Sequence, residues 1–184
     1  MLGRGFEPVL SAARAGGDWA WARLYDDLAP VVLGYLHARG AAEPEDLLGE
    51  VFLQVVRDLA SFNGDERAFR SWVFAITHHR LLDEARHRAR RPVEPLAPED
   101  LGKAMGLGDA EQDALARIGA HGVLDLIGRL SPDQEGALLL RIVADLSVED
   151  IARAMGKRPG AVKALLRRAL ANLRKEMLKG GVSR

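Results

Sequence analysis

Apolar residues recur at helical spacing along most of the chain and almost nowhere alternate with polar ones in the period of a strand. From Asp18, the residues Trp21, Leu24, Tyr25, Leu28, Val32, Tyr35 and Leu36 mark one face of a helix that Gly40 ends, with Pro30 set to kink or divide it. Pro44, at a position proline accepts well, opens a second helix whose stripe is Leu47, Leu48, Val51, Phe52, Val55, Val56 and Leu59. A polar turn from Ser61 to Arg67, built on Asn63 and Gly64, precedes a third helix with Phe69, Trp72, Val73 and Ile76 inward. Residues 1–17 are small and glycine-containing, and are expected to be loosely held.

Residues 92–116 interrupt this pattern. Prolines 92, 95 and 98 and glycines 102, 106 and 108 accompany six acids and a single base, Lys103, which is the composition of a linker. Helical spacing resumes at Val123, Leu124, Leu126 and Ile127, and Ser131-Pro132-Asp133-Gln134 reads as a capped start for a helix packed through Leu138, Leu139, Ile142 and Val143. Ser147 with Asp150 then has the form of a capping box, Leu146 standing before it as a staple. Ile151, Ala152, Ala154 and Met155 give this helix an apolar side, and Gly156 stops it. A final helix follows Pro159, with Val162, Leu165, Leu166, Ala169, Leu173 and Met177 on its core face. The expected fold is all-α: two small helical domains at 1–91 and 117–184, joined by a flexible acidic linker at 92–116, the second domain containing a helix-turn-helix. No further folded module is expected after Met177.

Charge sharpens this reading. The 184 residues carry 26 basic and 26 acidic side chains, so the whole chain announces no nucleic-acid partner, but residues 153–179 hold nine bases against one acid. A helix-turn-helix lays its second helix in the DNA major groove, and Arg158, Lys163, Arg167 and Arg168 are the best placed to meet bases or phosphates there. The far end of the third helix is also basic, at Arg80, Arg86, Arg88, Arg90 and Arg91, which makes a second nucleic-acid surface. Between Glu43 and Glu66, seven acids face one base, Arg57, a surface that repels DNA and suits either a protein partner or plain solvation. By charge, the acidic linker is suited to screening either basic end.

Other chemistry is scarce. The absence of cysteine removes disulfides and thiolate zinc sites and fits a reducing compartment, and neither a signal-peptide layout nor a membrane-length apolar run is present. A soluble cytoplasmic protein is expected. His79, Asp83 and His87 fall at i, i+4 and i+8, a metal-compatible spacing, but they lack a fourth ligand and stand among arginines, so no metal or cofactor is expected. His37 and His121 read as structural or surface residues. No motif sets a nucleophile beside a base or cradles a phosphate, so the chain is not expected to be an enzyme.

In order and spacing, these segments resemble the extracytoplasmic-function (group IV) sigma factors of bacterial RNA polymerase, from about Trp21 to Glu176. Residues 45–56, EDLLGEVFLQVV, resemble the helix by which the family's first domain (sigma region 2) grips the polymerase clamp. Phe69 to Ile76, with Asp83 and Arg86, resemble its promoter-melting helix. Leu130-Ser131-Pro132, residues 147–152 and residues 160–163 resemble the helix-turn-helix domain, sigma region 4. The resemblance implies that Asp46, Leu47, Glu50, Val51, Phe52, Gln54 and Val55 bind core polymerase. Phe62, Asn63, Gly64, Trp72, His79, Arg80, Asp83 and Arg86 would serve the minus-ten element, the 62–67 loop holding a flipped base that Asn63 can both donate to and accept from. Lys157, Arg158, Gly160, Ala161, Lys163, Arg167 and Arg168 would serve the minus-thirty-five element. Core polymerase, promoter DNA and an inhibitory anti-sigma factor are the implied partners, with no membrane insertion. The chain departs from the family at His79, where asparagine is usual, and at Val56, where tryptophan is usual. Two rival readings are a stand-alone helix-turn-helix regulator using residues 1–90 to dimerise, and a helical metal-dependent hydrolase built on His79, Asp83 and His87.

Overall fold

The computed structural model of the protein describes residues 2–90 and 126–181. The predicted linker, His121 and the start of the apolar run at Val123 lie outside them. Among the described residues every regular element is a helix: α1 (Phe6–Arg14), α2 (Asp18–Ala38), α3 (Pro44–Asp58), α4 (Glu66–Arg90), α5 (Pro132–Ile142), α6 (Val148–Ala154) and α7 (Pro159–Gly181). None of them is long and apolar enough to cross a membrane.

The N-terminal segment departs from expectation. A 3-10 turn at Gly3–Gly5 leads into α1, which buries Phe6, Val9, Leu10 and Ala13 against the core. Those positions are i, i+3, i+4 and i+7, a helical stripe only two turns long and flanked by Gly3, Gly5, Gly16 and Gly17, which obscured it. Helix α2 likewise runs undivided through Pro30. Pro30 and Asp26 are both exposed, so the backbone acceptor that loses its helical donor lies on the open side. Tyr25, assigned to the core stripe, is largely exposed, although its ring stands 4.6 Å from that of Phe52. Val56, Ile142 and Met177, also placed on core faces, are exposed as well.

Helices α1 to α4 share one core, in which Phe74 (0% exposed) and Tyr35 meet edge to face at 5.8 Å. Phe74 stands beside Val73, outside a single apolar stripe, and so carries no signal in helical periodicity. Helix α4 packs on α2, α3 and α6, and so must bury more than one face. Helices α5, α6 and α7 pack on one another around Leu139, Leu140, Leu146, Ile151 and Val162.

Polar contacts join the two groups of helices along a seam. Arg39, at the end of α2, reaches Glu135 of α5 at 2.6 Å, with both side chains largely buried, and donates to the carbonyl of Pro132 at 3.1 Å. Beside it the Tyr35 hydroxyl bonds His78 Nδ1 at 2.9 Å. Farther along, Arg70 Nε donates to the carbonyl of Ala144 at 2.7 Å and Arg67 faces Asp150 at 3.4 Å, while Lys157 faces Asp133 at 2.8 Å within the second group.

Burial, with the positive charge of Arg39 next in weight, lowers His78 to about 4 from its ordinary 6.5, and burial pushes Tyr35 up so that its hydroxyl stays protonated. His79 and Lys157 also disfavour the imidazolium, while Asp133 favours it. Because the unfolded chain takes up this proton first, stability is retained above pH 6.5 and falls as the pH drops towards 4. The full effect is about 3 kcal/mol. Burial raises the Glu135 carboxyl against the pull of Arg39, a shift of opposite sign that offsets part of the loss. Urea denaturation across this window should show the fall in stability, and His78→Gln should flatten it; an unchanged slope in the variant would remove His78 as the cause.

Candidate nucleic-acid interface

The helix-turn-helix is built as its sequence requires. The Ser147 hydroxyl accepts from the Asp150 amide at 3.1 Å, while the Asp150 carboxylate accepts from the Ser147 amide at 3.3 Å, completing the capping box. Leu146 and Ile151, the staple positions, are both buried. Helix α6 ends on Gly156 at φ 62°, with the Lys157 amide donating to Ala152 at 2.8 Å and the Gly156 amide to Arg153 at 3.2 Å, the paired bonds of a Schellman turn. Only a residue free to take the left-handed conformation closes so tight a turn. Burial pushes the Asp150 carboxyl up, but the Ser147 hydroxyl, Arg153, the Ser147 amide and Arg67 together hold it below the usual carboxylate range. It therefore stays charged at the N-terminus of α6, where a negative charge is favoured.

Pro159 opens α7, whose inner face buries Val162 and Ala169 and half-buries Leu165, Leu166 and Leu173. Arg158, Gly160, Ala161, Lys163, Arg167 and Arg168 are exposed together on the outer side. Arg158, Lys163, Arg167 and Arg168 make no ion pair with another described residue, whereas Lys157 is turned back to Asp133.

The predicted minus-ten residues divide differently. Phe62 is buried, stacked on half-buried Trp72 at 5.1 Å, and Phe69 adjoins both rings. Asn63 and Gly64 are exposed at the loop's tip, the Asn63 amide donating only a long 3.4 Å bond to the Ser61 carbonyl. Gly64 has φ 153°, and a Cβ there would come within 2.7 Å of the Ala68 methyl, so the turn excludes larger residues. His79 and Asp83 are exposed on α4. Arg80 bonds back to Gln54 and Glu50 of α3, and Arg86 pairs with Asp83 at 2.8 Å, so the basic end of α4 is largely committed to its own acids.

On α3, the residues assigned to a polymerase contact sort by burial. Leu47, Val51, Phe52 and Val55 lie in the core, because α3 packs against α2 and α4. Asp46 and Glu50 are exposed, Gln54 half-exposed, and beside them stand Leu53 (62% exposed) and Val56 (50%). Leu53 was missed because an apolar residue off the core stripe carries no signal in periodicity. Among the described residues no group of three His, Asp or Glu side chains is placed to hold a metal.

Family models for Sigma-70 region 2 and Sigma-70, region 4 match residues 23–91 and 121–173. The extracytoplasmic-function (ECF) RNA polymerase sigma factor SigD of Mycobacterium tuberculosis is 30% identical over 190 residues, covering 98% of this chain and 88% of the relative. The ECF sigma factor BldN of Streptomyces coelicolor is 33% identical over 167 residues, 90% of this chain but 63% of the relative's length. Among solved structures, CnrH in complex with the cytosolic domain of CnrY superposes with a TM-score of 0.67 at 18% identity, covering 92% of this chain and 94% of that one. The sigma factor RpoE of Bartonella quintana, in complex with the anti-sigma factor NepR, gives 0.64 at 22%, covering 89% and 98%. At these identities the two structures show the shared fold.

The two predicted N-caps separate in a way mutation can read. Ser131 stands at the N-cap of α5 without a side-chain cap bond, while Ser147 makes a complete box. Ser147→Ala should lower stability by about 1 kcal/mol. Ser131→Ala should change it by about 0.5 kcal/mol or less, as surface substitutions usually do. Urea midpoints at unchanged slope decide the matter, and equal losses at both positions would contradict the assignment.

Proposed function

The chain belongs to the extracytoplasmic-function RNA polymerase sigma factors, and from that premise we propose a division of promoter recognition between its helices. It directs core RNA polymerase to specific promoters. Residues 1–91 form the region 2 unit, residues 117–184 the region 4 unit and residues 92–116 the connection between them. The region 4 unit reads the minus-thirty-five element as duplex through α7, and the region 2 unit reads the minus-ten element as single strand through the 62–67 loop and α4. The family works in the cytoplasm on DNA; this chain adds no covalent step of its own.

The observation that carries this reading is the pair of unlike surfaces. Arg158, just before α7, and Lys163, Arg167 and Arg168 on it are exposed without ion-pair partners among the described residues, which supports groove and phosphate contact. The 62–67 loop offers an amide edge above stacked aromatic rings, which supports capture of an unstacked base. Asp46, Glu50, Leu53 and Val56 supply an exposed acidic and apolar strip on α3 that fits a protein partner, and the polymerase clamp is the partner the family implies. His79, exposed on α4, replaces the usual asparagine without closing off that position.

Run-off transcription from a genomic fragment library, with core polymerase and with or without the protein, tests the reading. New starts should follow a shared pair of elements at fixed spacing, and His79→Asn then measures what the substituted position changes. Arg167→Ala should weaken promoter binding by the holoenzyme and reduce its salt slope by about 1. If no starts appear while the protein alone retains specific duplex fragments, the stand-alone regulator becomes the better account.

A further inference from the structure

The 62–66 loop does not hold itself in place. Arg14, the last residue of α1, donates from Nε to the carbonyl of Leu59 at 3.5 Å and from Nη2 to that of Phe62, so one guanidinium spans the 3-10 turn Leu59–Ser61 that leads to Asn63. At the other end of the loop, Glu66 accepts from the amides of Leu2 and Gly3, the latter at 2.8 Å. Between these ties, Asp65 Oδ1 accepts from the Ala68 amide at 2.8 Å, and Gly64 packs tightly against Ala68. From beneath, Phe6 of α1 stands 5.5 Å from Phe69, which in turn meets Phe62 at 5.3 Å. Among the described residues, the supports of the loop outside α4, the 3-10 turn before it and its own residues come from residues 2–14.

We propose that this N-terminal segment is a positioning element for base recognition, with Arg14 the residue that fixes where Asn63 presents its amide. An amide discriminates one base edge from another only if its donor and acceptor are held to within a fraction of an ångström. Asn63 is exposed and has only a weak bond of its own, so its position is set by the backbone on either side. Phe62 precedes it directly, and the Phe62 carbonyl is an atom Arg14 holds. Arg14 acts through this backbone and touches no DNA. Lysine cannot replace it, because a single ammonium cannot serve both carbonyls with the geometry of a planar fork.

This inference rests on the loop being the base reader, and the experiment separates the two. Holoenzymes carrying wild-type protein, Arg14→Ala, Arg14→Lys or Asn63→Ala are measured against single-stranded minus-ten oligonucleotides with each base at each position. Amide hydrogen exchange of residues 59–66 is followed in the free full-length chains. Asn63→Ala should flatten base preference at one position by about tenfold. Arg14→Ala should flatten the same position to a similar extent, leave preferences elsewhere and core-polymerase affinity unchanged, and speed exchange in residues 59–66; Arg14→Lys should not rescue it. If Asn63→Ala alters no preference, the loop is not the reader and the inference falls with that reading. If Asn63→Ala acts but Arg14→Ala does not, the reading stands and the positioning role is overturned. If Arg14→Ala weakens all positions equally, in step with a loss of core binding, Arg14 is a structural residue only, and the positioning role is likewise overturned.

Discussion

Helix α4 is required to bury side chains around much of its circumference, and the other helices are arranged by that demand. Its Phe69, Val73, Phe74 and Leu81 enter the core shared with α1, α2 and α3, and a further part of its surface is covered by α6. A helix used in this way cannot be strongly amphipathic. It also buries Thr77 and His78, which must find partners inside: the Thr77 hydroxyl donates to the carbonyl of Val73 at 2.9 Å, and His78 meets Tyr35. What remains exposed is a line through His79, Asp83 and Arg86 that widens to Ala85, His87, Arg88 and Ala89 at the far end, together with the loop that precedes the helix.

The seam between the two groups of helices follows from the same packing. A buried pair such as Arg39 and Glu135 gains little net stability, since desolvating both charges consumes most of their attraction. Its effect is geometric. Arg39 also reaches the Pro132 carbonyl at the first turn of α5, so both contacts form at one register of α5 against the end of α2. Arg70 and Arg67 repeat the device farther along, on the Ala144 carbonyl and on Asp150. Arginine serves at each point because its planar donors reach a carbonyl or carboxylate while its stem packs against apolar neighbours.

Much of this was legible in the residues. Pro44, the Ser147 and Asp150 box, Gly156 and Pro159 mark helix ends by local chemistry, and each does in the structure what its type dictates. Local rules failed where tertiary packing decides. Helix α1 is too short and too flanked by glycine to stand out, yet it earns its place through Phe6 and Leu10 in a core contributed by distant residues. Val56, Ile142 and Met177 fit a helical stripe but fall beyond the edge of a partner helix, so periodicity alone could not tell them from core. On the candidate site, the exposed cations of α7 followed from spacing, whereas the return of Arg80 to α3 and the hold of Arg14 on the loop join residues 26 and 48 apart in sequence, beyond any local pattern.

The two basic surfaces are also unequal in what they can offer a nucleic acid. A cation already paired with an acid gives up that attraction before it gains a phosphate, so Arg80, Arg86 and Arg88, held by Glu50, Asp83 and Glu84, add little to duplex affinity. Under the proposed function, counterion release would then fall mainly to Arg158 and the exposed cations of α7, Lys163, Arg167, Arg168, Arg174 and Lys175, a contribution that weakens as salt rises. The loop, in the proposed reading, would work on a different principle, the amide edge of Asn63 held over buried aromatic packing, which is effective only on a strand already separated. Under the proposed function, one surface would take paired DNA and the other unpaired DNA. A neutral chain built this way depends on polymerase to present both forms at a set spacing, which raises the effective concentration of the second contact once the first is made.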